Sequence, residues 1–154
     1  MLILLFYVGD DRYALLGRQV VEVISLVEVK TLARSPNYVA GLLNYRGKII
    51  PAIDLCQLIA ERPYHPYLST RIIVVNYSGD EQATYLLGLI AERVTDTLDI
   101  KEADVVDSGI QVVAAPYLGA IVTDEQGMIQ CIQVESLLTE SQRKYLLPEQ
   151  QSFT

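Results

Sequence analysis

Residues 41–55 read Gly-Leu-Leu-Asn-Tyr-Arg-Gly-Lys-Ile-Ile-Pro-Ala-Ile-Asp-Leu, two short apolar runs joined by a polar turn. Runs this brief on either side of Arg46 and Gly47 fit a β-hairpin, because glycine readily supplies the positive φ of a tight turn. The flanking strands are apolar enough to be mostly buried, so the turn becomes a rigid pedestal presenting one cation, Arg46. Pro51 donates no ladder hydrogen bond, which places its strand at an edge or a bulge. Asp54 then stands as a helix N-cap, with Gln57 in the capping-box position and Leu55, Leu58 and Ile59 at helical spacing.

The remaining chain reads as strands and turns. Leu2–Val8 is a continuous apolar run, the pattern of a strand buried on both faces, and Gly9, Asp10, Asp11 and Arg12 end it in a turn. Residues 13–16 form a second strand. A helix fits residues 19–23, although the β-branched Val20, Val21, Val23 and Ile24 around Glu22 favour extended chain. Residues 30–38 read as a loop, and Val39 and Ala40 as one helical turn before the hairpin. Residues 61–70, with Pro63, Tyr64, His65, Pro66 and Tyr67, make a stiff connector. Strands are expected at 71–77, 84–90 and 93–100, with a turn at 78–82, an acidic loop at 101–109 and a short strand at 110–115. A hairpin follows from residues 117–123 and 128–134 around Asp124, Glu125, Gln126 and Gly127. Thr139 and Gln142 then set a capping box for a tail helix at 139–148, which Pro148 stops.

A weak internal repeat emerges from this order. One apolar strand leads to Gly9, Asp10 and Asp11, another to Gly79, Asp80 and Glu81; Tyr13-Ala14-Leu15-Leu16-Gly17 answers to Tyr85-Leu86-Leu87-Gly88. Each half later carries a hairpin whose turn ends in glycine, Gly47 or Gly127. The simplest account is two similar small β-units, one of residues 1–60 and one of 71–138, within a single domain of 154 residues.

The totals exclude several functions. Residues are 51% apolar and 20% charged, a globular composition. A formal charge of −7 repels phosphate backbones and anionic lipid surfaces, so nucleic acid and membrane surfaces are not expected partners. The longest N-terminal apolar run is too short to span a bilayer, and a cytoplasmic protein without direct membrane insertion is expected. Cys56 and Cys131 have no CxxC spacing and read as buried reduced thiols. The single histidine, His65, sits between prolines, and a Cys56–His65 nucleophile pair would require an exposed thiol and a third orienting group. The paired carboxylates all fall in turns, where they serve the local backbone. No phosphate loop, zinc spacing or calcium loop appears, so no metal, no cofactor and no catalytic residue is expected. The ten tyrosines lack the basic neighbours of a single-strand binder and suit barrel rims.

The ordered set Asn44-x-Arg46-Gly47-x-x-x-Pro51-x-x-Asp54-Leu55, preceded by Gly-Asp-Asp-x-Tyr13 and Val20-x-Glu22-Val23, resembles the CheW family of chemotaxis coupling proteins. Leu87-Gly88-Leu89-Ile90 through Leu98, and Tyr117-Leu118-Gly119 through Leu137-Leu138, fit the same family in the same order, covering nearly the whole chain. The resemblance implies an all-β fold of two packed, five-stranded SH3-like barrels with short helices. It further implies a non-enzymatic adaptor that joins the cytoplasmic tip of a chemoreceptor to the regulatory domain of a CheA-type histidine kinase. By position it assigns partner coupling to Arg46, with Asn44 and Gly47 holding its turn and Val20, Glu22 and Val23 beside it; the two valines fit core as well as surface. An ion pair between Glu22 and Arg46, pre-orienting the guanidinium, is expected. Two departures are the short stretch between Asp104 and Tyr117 and the extra Tyr-His-Pro-Tyr of the connector. The alternative is a small β-barrel module binding another protein or ligand outside chemotaxis.

Overall fold

The computed structural model describes residues 1–78 and 84–147. β1 (Leu2–Val8) and β2 (Asp11–Leu16) form an antiparallel hairpin, followed by β3 (Val20–Ser25). A second hairpin, β4 (Val39–Tyr45) and β5 (Lys48–Asp54), runs straight into α1 (Leu55–Ala60). Beyond residues 61–70 lie β6 (Arg71–Ser78), β7 (Thr84–Ala91), β8 (Arg93–Asp99) and the two-residue β9 (Val105–Val106). A further hairpin of β10 (Leu118–Asp124) and β11 (Gly127–Ile132) precedes α2 (Glu140–Leu146). Among the described residues no helix is long and apolar enough to cross a membrane.

The strands form one sheet in the order β8-β1-β2-β11-β10-β9 and another in the order β3-β6-β7-β5-β4. Both follow one plan. An early hairpin, β1-β2 or β6-β7, joins a late hairpin, β10-β11 or β4-β5, through a parallel ladder, and a further strand, β8 or β3, flanks the early hairpin. The internal repeat is therefore present in the topology, but with its pieces exchanged. The first sheet pairs β1 and β2 with strands beyond residue 92, while β3 pairs with β6, β5 with β7, and β4 with β5 at the edge. The expected division into units of residues 1–60 and 71–138 is thus not followed by the sheets, because the chain crosses between them after β2 and again after β7. Part of the matched repeat, Gly79, Asp80 and Glu81, lies outside the described residues, as do the expected turn at 78–82 beyond Ser78 and the helix stop at Pro148.

Neither sheet closes into a barrel. No ladder joins β3 to β4 or β8 to β9, so the expected five-stranded barrels are open sheets of five and six strands. Strand alternation nevertheless buries both faces. Leu4, Phe6 and Val8 of β1 meet Ile73, Val75 and Tyr77 of β6 and Leu87 and Leu89 of β7 in a core between the sheets. Ile3 and Leu5 point the other way, into a cluster with Ala14, Val122 and Ile129; Ile72 and Val74 likewise join Leu43, Ile50 and Ile90. This two-sided burial explains why β1 and β6 are unbroken apolar runs.

Three local expectations are corrected. Val39 and Ala40 begin β4 instead of a helical turn, because Val39 pairs with Ile53 and is buried between the sheets. Residues 110–115 are not a strand; the extra strand is β9, which pairs with β10 through Val105 and Val106. Pro51 lies in an inner strand instead of at an edge. Counting from the closing pair Tyr45↔Lys48, the pair Leu42↔Pro51 is a non-hydrogen-bonded one, so the proline nitrogen faces β7, whose ladder with β5 begins only at Ala52. The expected helix caps are present. Asp54 Oδ1 accepts from the N–H groups of Cys56 and Gln57 at 3.0 and 3.2 Å, and Thr139 and Gln142 form a reciprocal capping box.

Gly41, at φ 145°, lies where Lys30 and Leu42 exchange two backbone hydrogen bonds of 2.8 Å, and a Cβ there would sit 2.0 Å from the Lys30 carbonyl oxygen. Gly41→Ala is expected to cost about 3 kcal/mol or more in urea unfolding. Exchange of strands between halves makes a second prediction. Separately produced fragments 1–61 and 62–154 are each expected to lack stable structure and to regain native circular dichroism on mixing; a folded 1–61 fragment would contradict the interlocked topology.

Candidate functional site

The β4-β5 connection is a two-residue turn closed by Tyr45↔Lys48. Arg46 and Gly47 both have positive φ, 51° and 87°, the signature of a type I′ turn whose twist matches the strands. Glycine adopts this region freely, whereas a left-handed arginine costs about 1–2 kcal/mol. The Asn44 side chain stabilises the turn by accepting the Gly47 N–H at 2.9 Å. Tyr45, buried at the rim of its cluster, sets its ring under the guanidinium, 5.4 Å from carbon to centroid.

Glu22 on β3 accepts a hydrogen bond from Arg46 Nη2, so the expected ion pair is present. β3 and β4 are the two edges of the five-stranded sheet, and this pair spans the opening that no backbone ladder closes. The Arg46 side chain is still 71% exposed. An ion pair this wet is worth about 0–1 kcal/mol, no more than the strain of the turn it stands on. Asn44, Glu22, Arg46 and Gly47 therefore form one polar cluster. The valines do not join it as one surface. Val20 is half-buried against the core between the sheets, whereas Val23, opposite Ile73 on the same face of β3 beyond a bulge between Val20 and Glu22, is exposed, as is Val21, which the sequence reading leaves out.

The equivalent tip in the six-stranded sheet, Glu125 and Gln126, carries no cation. Its neighbour Asp124 receives a two-pronged bond from Arg12 of β2, at 2.6 and 2.8 Å, and this guanidinium holds the carboxyl below its ordinary range. The fastening thus runs within the sheet instead of across its edges. A cavity of about 480 Å³ remains between β8 and β10, lined by Leu5, Leu98 and Val122 with Asp96, Asp99 and Glu125.

The side chains of the disfavoured nucleophile pair, Cys56 and His65, lie in quiet surroundings, as does Cys131. Cys56 is fully buried, and burial pushes its thiol up to about 12; Cys131 is half-buried and also raised. Both are free thiols. His65 stacks its ring at a tilt on Tyr67, 5.3 Å between centroids. Among the described residues no group of three or more His, Cys, Asp or Glu side chains is placed to hold a metal. Sequence reasoning misses Glu92, a buried carboxylate at the β7-β8 corner held by Arg62 at 2.7 and 3.0 Å. A lone acid following Leu89-Ile90-Ala91 is the signal available for it.

Comparison with known proteins agrees with the two-sheet fold. A CheW-like domain matches residues 2–142. The chemotaxis protein CheW of Bacillus subtilis (strain 168) is 25% identical over 96% of this chain and 92% of its own length. The CheW of Helicobacter pylori is 27% identical over 65% of this chain and 58% of that protein. Among solved structures, the scaffolding protein TtCheW from Thermoanaerobacter tengcongensis superposes with a TM-score of 0.76 at 26% identity, covering 90% of this chain and 87% of the other. With the family match spanning both sheets and the Arg46 turn, this chain belongs to the CheW-like family.

Proposed function

We propose that this protein is a non-enzymatic coupler that joins a chemoreceptor's cytoplasmic tip to the regulatory domain of a CheA-type histidine kinase in a cytoplasmic chemosensory array. The observation that carries the reading is Arg46, set on a strained type I′ turn, aimed by Glu22 and left 71% exposed. A sequence shaped for stability alone would place Asn or Gly there. Arginine is instead one of the residue types enriched at protein–protein hot spots, where truncation costs about 2 kcal/mol or more. A second surface is available on the other sheet, where Ile110, Val112 and Val113 face solvent in the loop before β10. Two separate surfaces suit an adaptor whose partners are held together by effective concentration as much as by single-contact affinity.

Titration with a receptor signalling-tip fragment and with a kinase regulatory domain tests the reading. Binding to at least one is expected, and binding to neither rejects it. Arg46→Gly separates function from folding, because it relieves the turn while removing the guanidinium. Its stability is expected within about 1 kcal/mol of the native protein, with affinity for one partner lowered about 10-fold or more. Unchanged affinity for both would move the contact away from Arg46.

A further inference from the structure

Residues 61–70 connect α1 to β6 and are held mainly by polar contacts. Arg62 places Nη2 2.7 Å from Glu92 Oε1 and Nη1 3.0 Å from Oε2. The His65 backbone N–H donates to Glu92 Oε2 at 2.6 Å, and Ser69 Oγ donates to the Glu92 carbonyl at 2.7 Å. The Tyr64 N–H donates to Asp54 Oδ2 at 3.0 Å. Inside the segment, Thr70 Oγ1 accepts from the Tyr67 N–H and donates to the His65 carbonyl, which makes it a loop with its own internal order. Apolar anchorage comes from half-buried Tyr64, while Tyr67 and Leu68 stand 56% and 97% exposed.

This attachment differs in kind from that of the sheets. Ladders and three apolar clusters hold the strands, whereas bonds to two carboxylates, Asp54 and Glu92, hold the segment. Such bonds are exchanged for water when the segment lifts, so its opening requires much less free energy than exposing a core. No strand pairing has to break, because β5 ends at Asp54 and β6 begins at Arg71. The fully buried Cys56 thiol lies against Glu92, the carboxylate to which the segment is tied. The groups facing Glu92 are the Arg62 guanidinium, the His65 N–H, the Cys56 thiol and the Asp54 carboxylate, and Arg62 holds Glu92 ionised at neutral pH.

We propose that residues 61–70 form a strap that releases as a unit from Glu92 and Asp54 while both sheets stay folded, uncovering the Cys56 thiol. The strap is a conformational device separate from the Arg46 turn, and its test does not depend on the coupling function. Hydrogen exchange and thiol labelling at neutral pH examine it on the full chain carrying Cys131→Ser, which leaves Cys56 as the single thiol. The amides of Tyr64, His65 and Tyr67 are expected to exchange about 10-fold or more faster than those of Ile73, Val75 and Leu89. Glu92→Gln or Arg62→Ala is expected to speed those strap amides and Cys56 labelling by about 10-fold or more, with the sheet amides unchanged. Strap amides that exchange in step with the sheet amides overturn the proposal, and this comparison needs no substitution at Glu92 or Arg62. Cys56 labelling that follows global unfolding in both folded variants overturns it as well.

Discussion

Two very short parallel ladders decide the architecture. β5 pairs with β7 over Ala52, Ile53 and Asp54, and β11 pairs with β2 over Gln130 and Cys131. Parallel strands cannot be joined by a tight turn, so each ladder has to bring together hairpins that are apart in sequence. The chain meets this requirement by exchange: β3 and β8 each leave one sheet's hairpin to flank the other's. Every sheet therefore holds strands from both halves, and the core between them forms only when the whole chain is in place. With so many pairings between distant segments, loop-closure entropy is met before most contacts form, which places this protein among the slower-folding topologies.

What is legible in the sequence is what local chemistry determines. The tight turn at Arg46 and Gly47, the N-caps at Asp54 and Thr139 and the unbroken strand of residues 2–8 each rest on a few neighbouring residues, and the structure contains them all. The expected pairing of Glu22 with Arg46 is present too, although β3 and β4 are the two edges of their sheet and share no ladder. The exchange of hairpins is not legible, because two similar repeats can pair within or across halves with the same alternation. Pro51 shows the same limit at one residue: its missing donor marks a gap in a ladder, but whether that gap is a sheet edge depends on where β7 ends its pairing. Val39 and Ala40 read as a helical turn from their neighbours and become strand through burial against residues far away.

Burial and charge are also distributed unequally between the two equivalent hairpin tips. Arg12 fastens the second tip inside its own sheet with a two-pronged, mostly buried bond, a geometry that holds structure. Arg46 fastens the first tip across an open edge with an exposed single contact, a geometry that contributes little to stability and leaves the cation accessible. The same residue type thus stands in two environments, and exposure distinguishes the structural arginine from the one available to a partner.

On the coupling proposal, the weakness of the Glu22–Arg46 pair has a consequence for binding. A partner carboxylate that takes the guanidinium competes with Glu22, and displacing an exposed ion pair costs only about 0–1 kcal/mol. The turn needs no rearrangement, because Asn44 and Gly47 fix the backbone independently of Glu22 and Tyr45 supports the ring face of the cation. The site is therefore pre-organised in its backbone and exchangeable in its charge partner. Pre-organisation lowers the entropy cost of docking, while competition keeps the single contact weak. That combination fits a protein whose partners are held by several contacts at once, since strength then comes from effective concentration and each contact remains reversible.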